Sequence, residues 1–380
     1  MMTNQAILKN LRILDFTWVL AGPYATRLLA DFGAEVVKVQ PLPPQEQEED
    51  AFARGYDNTW NRNKRGITLN MAKPEGIALA KKLVALSDAV VENFTPRVMA
   101  NWGMDYESLR KTKPDIIMLS LSTMGNSGPR QDYTGFGPTV QAFSGLTHLT
   151  AYPDGPPLGP GTAHADHVAA LFACLALLGA LEYRRRTGEG QYIDISQVEA
   201  MASLLGDAFM PPQESATSGV YRCKGDDRWC ALSVSTDGDW QGFKEALGNP
   251  PWAEDKRFAT LSARLENKQA LDKLIGEWTK KHTAEEAMAW LQKQGVAAGV
   301  VQDARDLAKD SQLKHRGFFV ELDHPEMGKT ISDANPIRLS DSPPGYRPAP
   351  LPGQDNGYVY GELLGLGNGE MNKLKEQGVI

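Results

Sequence analysis

The sequence predicts an α/β protein: a large domain built on a parallel β-sheet covered on both faces, followed by a smaller α+β domain. Three observations lead there. Short apolar runs alternate with helix-period segments through the first third of the chain, the pattern of parallel strands joined by crossover helices. The pattern changes near residue 215, where a hairpin signal precedes a run of helical segments. The length, 380 residues, is enough for two or three domains.

LRILDF (Leu11 to Phe16) reads as the first strand. WVLAGPYATRLLADFG turns at Gly22-Pro23 and continues as a helix, with Gly33 suited to the position just past its end. AEVVKVQ is the next strand. Pro44 to Gly66 is polar and reads as a long surface loop, a kind that is often functional. ITLNM (strand), PEGIALAKKLVALS (helix, Pro74 in its first turn), AVVENF (strand), DYESLRKTKP (helix) and DIIMLSLST (strand) continue the alternation. A long apolar helix starts at Asp166; Arg184, Arg185 and Arg186 complement its C-terminal dipole, and Gly188 and Gly190 stop it.

GVYRCKGDDRWCALSV then reads as a hairpin turning at Gly225-Asp226-Asp227. DWQGFKEALG, SARLENKQALDKLIGEWTKKH and TAEEAMAWLQKQG read as helices, the last opened by a capping box of Thr283 and Glu286. VAAGVVQ reads as a buried strand and GFFVELDHPEMGKTISDANPIRLS as a second hairpin. The expected domains are 1–214 (large), 215–325 (small) and 326–380, a Pro/Gly-rich return to the large domain.

A hydrophobic fraction of 42% supports a full core, and a formal net charge of -7 excludes general nucleic-acid binding, which needs a basic face. Cys174, Cys223 and Cys230 form no C-x-x-C pair, which removes a zinc ribbon or a thioredoxin-type site and fits a reducing cytoplasm. MMTNQAILKNL lacks a signal-peptide core, and the longest apolar run, Val168 to Leu181, is shorter than the roughly 20 residues of a membrane span. The expectation is a cytoplasmic protein with neither membrane nor nucleic acid as partner.

The chemistry concentrates at Asp166, which stands between His164 and His167. An Asp at a helix start is an ordinary N-cap. The same carboxylate, kept ionised by the helix dipole, is able to attack an acyl carbon. H-x-D-H also offers three metal-ligand types, but they do not share one face of a regular helix and no fourth ligand is evident, so no metal is expected. Arg62, Lys64 and Arg65 in NRNKRG are either a solvated basic loop or a phosphate site that Arg54 and Arg97 would extend. No G-x-G-x-x-G follows the first strand, and neither a P-loop nor G-x-S-x-G is present, which weighs against a nicotinamide site and a serine hydrolase.

Taken in order, LDFTWVLAGPYATRLLADFGAEVVKVQ, NRNKRGITLNMAKPEG, VVENFTPRVMANWGMDYESLRKTKPDIIMLSLSTMGNSGP, the AD…LGALEYRRRTGEGQYIDIS block and YRCKGDDRW resemble the class III CoA-transferases, the carnitine- and bile-acid-type CoA transferases. The likeness runs from about residue 11 to 230; YPDGPPLGPG and YRCKGDDRW are similar to an aromatic-acid branch that pairs two related chains. The resemblance implies a Rossmann-like large domain and an interlocked dimer, for which connectors near 211–219 and 341–354 are suited. It implies Asp166 as nucleophile, with CoA passing from an acyl-CoA donor to a free carboxylic acid through mixed anhydrides and an aspartyl-CoA thioester. No permanently bound cofactor is implied; the CoA thioester is the substrate. Trp18, Val19, Leu20, Leu69, Asn93, Phe94 and Arg97 fall where the family holds CoA, alongside the phosphate reading of Arg62, Lys64 and Arg65. The chain departs from the family in having Trp18, Leu20 and Gln40-Pro41 where polar or basic residues are common, and only ATSGV (Ala216 to Val220) where some members carry a glycine-rich lid. The departures at Trp18 and Leu20 make the mouth of the site more apolar. Two alternatives share the fold. One is an acyl-CoA racemase, disfavoured because GFGPTVQAFSG (Gly135 to Gly145) has no histidine. The other is a subunit of a heteromeric transferase; otherwise a homodimer is expected.

Overall fold

The computed structural model describes residues 6–43, 51–152, 154–209 and 217–380. They form two compact units. The first comprises the chain up to Phe209 and again from Gly317 to Ile380; the second lies between.

The first unit is a six-stranded sheet in the order β3-β2-β1-β4-β5-β6. Its strands are β1 (Arg12–Asp15), β2 (Glu35–Gln40), β3 (Arg65–Thr68), β4 (Ala89–Glu92), β5 (Ile117–Ser122) and β6 (Tyr192–Ser196), and every pairing is parallel. Connecting helices are α1 (Ala21–Asp31), α2 (Ala51–Asn61), α3 (Pro74–Ala85), α4 (Arg97–Asn101), α5 (Tyr106–Thr112), α6 (Gly137–Ser144), α7 (Leu146–Leu149) and α8 (His164–Thr187), with α9 (Gln197–Ser203) after β6. Successive strand residues point to opposite faces. Ile13 and Val91 therefore pack with Leu29, Ala169 and Ala173 on one side, while Leu14 and Val90 pack with Leu79, Leu83 and Tyr360 on the other. Gly33, at φ +94°, takes the left-handed conformation expected just past the end of α1.

Three elements differ from expectation. Residues 51–61 of the supposed loop are the helix α2, whose Tyr56 and Trp60 stand one turn apart with rings 5.9 Å apart; residues 44–50 lie outside the described residues. The long helical segment after residue 260 is two helices that meet at Asn267. The Val168–Leu181 run sits in a 24-residue helix, α8, long and apolar enough by length and composition to cross a membrane. Its Ala165, Ala169, Ala173, Leu177 and Ala180 are nevertheless buried in the core.

The C-terminal segment closes the sheet edge. Asp355 accepts from the Gly66 amide at 2.9 Å and Asn356 from the Thr68 amide at 3.0 Å. Side chains thus satisfy donors that a free edge strand would leave open. The hairpin β10–β11 (Phe319–His324, Gly328–Asp333), which the sequence divided between domains, belongs to this unit.

The second unit is an antiparallel sheet of β7 (Thr217–Arg222), β8 (Trp229–Val234) and β9 (Ala297–Val300), the last part-exposed rather than buried. It carries α10 (Asp237–Ala246), α11 (Leu261–Glu266), α12 (Lys268–Thr279), α13 (Ala284–Lys293) and two short helices, α14 (Ala304–Lys309) and α15 (Ser311–His315). Thr283 and Glu286 form the expected capping box of α13. The connector 211–216, with Ala216 of the short lid segment, lies outside the described residues.

A buried ionic cluster sits under the end of β1. Asp15, fully buried, accepts from the Thr17 amide (2.7 Å), the Thr26 hydroxyl (2.7 Å) and Lys64 Nζ (3.0 Å), with Lys38 Nζ 3.7 Å away. Burial pushes its carboxyl up, but Lys38, Lys64 and the two hydroxyls outweigh burial and hold it well below the usual carboxylate range. Removing one partner of such a cluster strands buried charge. Lys64→Met is expected to cost about 3 kcal/mol of stability, and Asp15→Leu/Lys64→Met together less than the sum of the single changes, as read by thermal and urea unfolding.

Candidate active site

The strand order reverses between β1 and β4, so the loops leaving them diverge and open a crevice at the carboxyl edge of the sheet. Trp18, Val19 and Leu20 follow β1; Asn93 and Phe94 follow β4. Asn93 joins the two loops: its Oδ1 accepts from the Trp18 amide at 2.9 Å and its Nδ2 donates to the Trp18 carbonyl at 2.9 Å. Lys38 Nζ donates to the Thr17 carbonyl. Held on both sides, Val19 adopts φ +62°, which a β-branched residue avoids unless its surroundings impose it.

Trp18, Val19, Leu20, Asn93, Phe94 and Asp166 line one cavity of about 390 Å³, completed by Thr95, Val98, Ser122, Gln131, Tyr133, Phe136 and Gln197 among others. Leu69 lines a neighbouring cavity of about 410 Å³ with Gln40, Pro41, Phe94 and Trp102. A third, of about 620 Å³, takes Trp18, Val19, Lys38, Tyr56 and Asp57. Phe94 is common to all three.

Asp166 is not a helix cap. Helix α8 begins two residues earlier, with Ala163 at the N-cap and no side chain capping it, so Asp166 stands at the third helical position. The residue is 7% exposed, and its Oδ2 has no hydrogen-bond partner among the described residues. Burial raises its carboxyl to about 6, and the nearby His167 opposes this only in part. The helix dipole was expected to keep the group ionised; desolvation outweighs it. The group therefore titrates closer to neutrality than an ordinary carboxylate.

The flanking histidines do not converge with Asp166. His164 is exposed, and His167 donates from Nδ1 to the Ala163 carbonyl at 2.8 Å while its ring packs against Tyr24 and Trp60. No group of three metal-ligating side chains occurs among the described residues.

The basic cluster is not a solvated loop, and Arg62 and Lys64 are buried away from any phosphate. Arg62 is fully buried, paired with Asp31 at 2.6 Å, bonded to Ser332 and laid over the Tyr346 ring. Lys64 is committed to Asp15, the Pro23 carbonyl and Asn61. Arg65 pairs with Asp355 at 3.0 Å and stacks on Tyr358. Arg62 and Lys64 tie α2 and β3 to the rest of the unit, because a buried cation needs a buried partner, while the part-exposed Arg65 ties β3 to the C-terminal segment. Arg97 lies beside the cavity residue Val98, its side chain 74% exposed and 3.4 Å from Asp132.

Residues 8–356 match CoA-transferase family III. The chain belongs to CoA-transferase family III. It is 34% identical to a succinyl-CoA–D-citramalate CoA-transferase of Chloroflexus aurantiacus, over 98% of both chains. It is 30% identical to the beta subunit of a succinyl-CoA–L-malate CoA-transferase from the same organism, over 100% of this chain and 99% of that one. Among solved structures it is similar to a CAIB/BAIF family protein from Brucella suis, with 30% identity and a TM-score of 0.84 over 94% of this chain and 100% of that one. The protein is therefore a CoA-transferase, and CoA thioesters are its substrates.

One site residue escaped the sequence reading. A Cβ built on Gly137, the first residue of α6, would stand 2.5 Å from Asp166 Oδ2 and 3.1 Å from the Ala163 Cβ. Thr139 fixes this approach by accepting from the Phe136 amide at 2.8 Å. The only local signal is Gly-Pro at a helix start. Gly137→Ala is expected to displace the carboxylate and lower kcat by about 100-fold, since a shift of ~1 Å in a reacting group costs that much. The melting temperature should stay close to wild type. Steady-state kinetics beside a thermal melt checks both.

Proposed function

We propose that the enzyme moves CoA from an acyl-CoA to a free carboxylic acid by covalent exchange at Asp166. The observation that carries this is a buried carboxylate, unpartnered at Oδ2, facing a cavity at the switch point of the sheet. Asp166 attacks the donor thioester carbonyl; the C–S bond breaks and leaves an aspartyl–acyl anhydride and CoA thiolate. The thiolate attacks the aspartyl carbonyl carbon, releasing the donor acid and forming an aspartyl-CoA thioester. The acceptor carboxylate attacks that carbon, a second anhydride and thiolate form, and the thiolate takes the acceptor acyl group while Asp166 returns as carboxylate. Gly137, which has no side chain to hold the start of α6 off the carboxylate, offers its own amide to the oxyanions; Pro138 has no N–H, and the Thr139 and Val140 amides go to the Phe136 carbonyl. CoA lies along the loops of Trp18 to Leu20 and Asn93-Phe94, with Leu69 beyond and Arg97 at the rim.

The active form is a dimer, either of identical chains or with a related subunit. Leu171, Leu175 and Leu178 support this: they form a stripe on α8, and Leu175 is 70% exposed. An apolar stripe of that kind is a contact surface. Three unpaired cysteines support a reducing, cytoplasmic setting.

Asp166→Asn is expected to lose exchange by about 1,000-fold or more, and wild-type kcat/KM to fall on the acid side of about pH 6. The stability sign follows from the same burial. A carboxyl raised on folding adds stability that is fully present below its unfolded value and lost as pH rises through about 6. Asparagine is always neutral, so the melting temperature of Asp166→Asn relative to wild type should be more favourable at pH 8 than at pH 4. Exchange with the wild-type rate in Asp166→Asn, or deuterium uptake at the α-carbon of an acyl-CoA without exchange, would refute this reading in favour of other chemistry, the second outcome being that of a racemase.

A further inference from the structure

We propose that the acceptor acid is a monocarboxylate with an apolar tail up to the size of a short-chain aromatic acid, and that acids with a second, distal carboxylate are excluded. The inference rests on the CoA-transfer reading of the Asp166 cavity and names its substrate class.

The walls carry the argument. Among the described residues that line the cavity, Asp166 has the only charged side chain. Trp18, Phe94, Tyr133 and Phe136 give it an aromatic rim; Trp18 is 55% and Phe136 61% exposed, so both are available to a ligand. The polar lining is neutral, and Asn93 already spends its amide on the Trp18 backbone. A volume of about 390 Å³ accommodates a ring on a short chain and sits in the range of small-molecule pockets.

A distal carboxylate has no partner there. Among the described residues no cation lines this cavity; Arg97 and Arg130, each next in sequence to a lining residue, are both exposed. Lys38 is buried behind the Trp18 loop, donates to the Thr17 carbonyl, stands 3.7 Å from Asp15 and lines the neighbouring cavity instead. Arg97 points into solvent beside Asp132. An unpaired carboxylate would meet both the desolvation penalty and the like charge of Asp166. The relatives named for citramalate and malate carry the names of acids with two carboxylates; on this inference the present chain takes a different class of acid.

The test uses the full-length enzyme with acetyl-CoA and butyryl-CoA as alternative donors and matched pairs of acids: hexanoate with adipate, and 3-phenylpropanoate with 3-(4-carboxyphenyl)propanoate. The monocarboxylate of each pair should have a kcat/KM higher by at least about tenfold, the least that an unpaired buried carboxylate costs. Gln131→Arg, which places a cation on a loop of the cavity wall, should narrow that ratio. Equal or greater kcat/KM for the dicarboxylates in the wild-type enzyme overturns the substrate class while leaving CoA transfer intact. Absence of any new CoA ester from every acid and both donors, in protein that melts normally, overturns the CoA-transfer reading and this inference with it.

Discussion

The site depends on one buried charge arrangement, the carboxylate of Asp15 between Lys38 and Lys64. Asp15 ends the central strand β1, and its oxygens hold the Thr17 amide and the Thr26 hydroxyl of α1. Lys64 brings in the end of α2 through Asn61, and Lys38 grips the Thr17 carbonyl. One buried anion thus fixes the start of the Trp18 loop, the first turns of α1 and the approach of α2. Loop geometry that would otherwise fluctuate becomes a wall, and the strained Val19 persists because its neighbours are pinned.

On that frame the carboxylate of the candidate site is arranged in the opposite way. Asp15 is buried and saturated with partners; Asp166 is buried with one oxygen unpartnered. The first carboxyl is driven down and the second up. Two buried carboxylates of one fold are thereby set apart by environment alone, one saturated with partners and one with an open oxygen facing a cavity. Gly137 makes the second environment possible, since any side chain there would occupy the space of Oδ2.

The sheet was legible because its signal is local and periodic: Ile13, Leu14, Val90 and Val91 alternate between two packed faces, and an apolar run bounded by turns has few other readings. Helix α2 was hidden because its apolar face consists of a few aromatic residues among Arg, Asp and Asn, so polarity masked the period. The basic cluster misled for a different reason. The partners of Arg62 include Asp31 and Ser332, the latter 270 positions away, and nothing in NRNKRG marks such a pairing. Asp166 was singled out by its place in an ordered set of motifs, whereas its position inside the helix and its rise to about 6 are properties of packing that no local pattern encodes.

The most direct measurement is the mass of the intact chain, and then of its peptides, after brief mixing with a reactive acyl-CoA. The expected result is a gain equal to CoA less water, mapped to the peptide containing Asp166 and absent from Asp166→Asn. Steady turnover with the adduct on another residue, or the same adduct on Asp166→Asn, would contradict covalent exchange at this carboxylate.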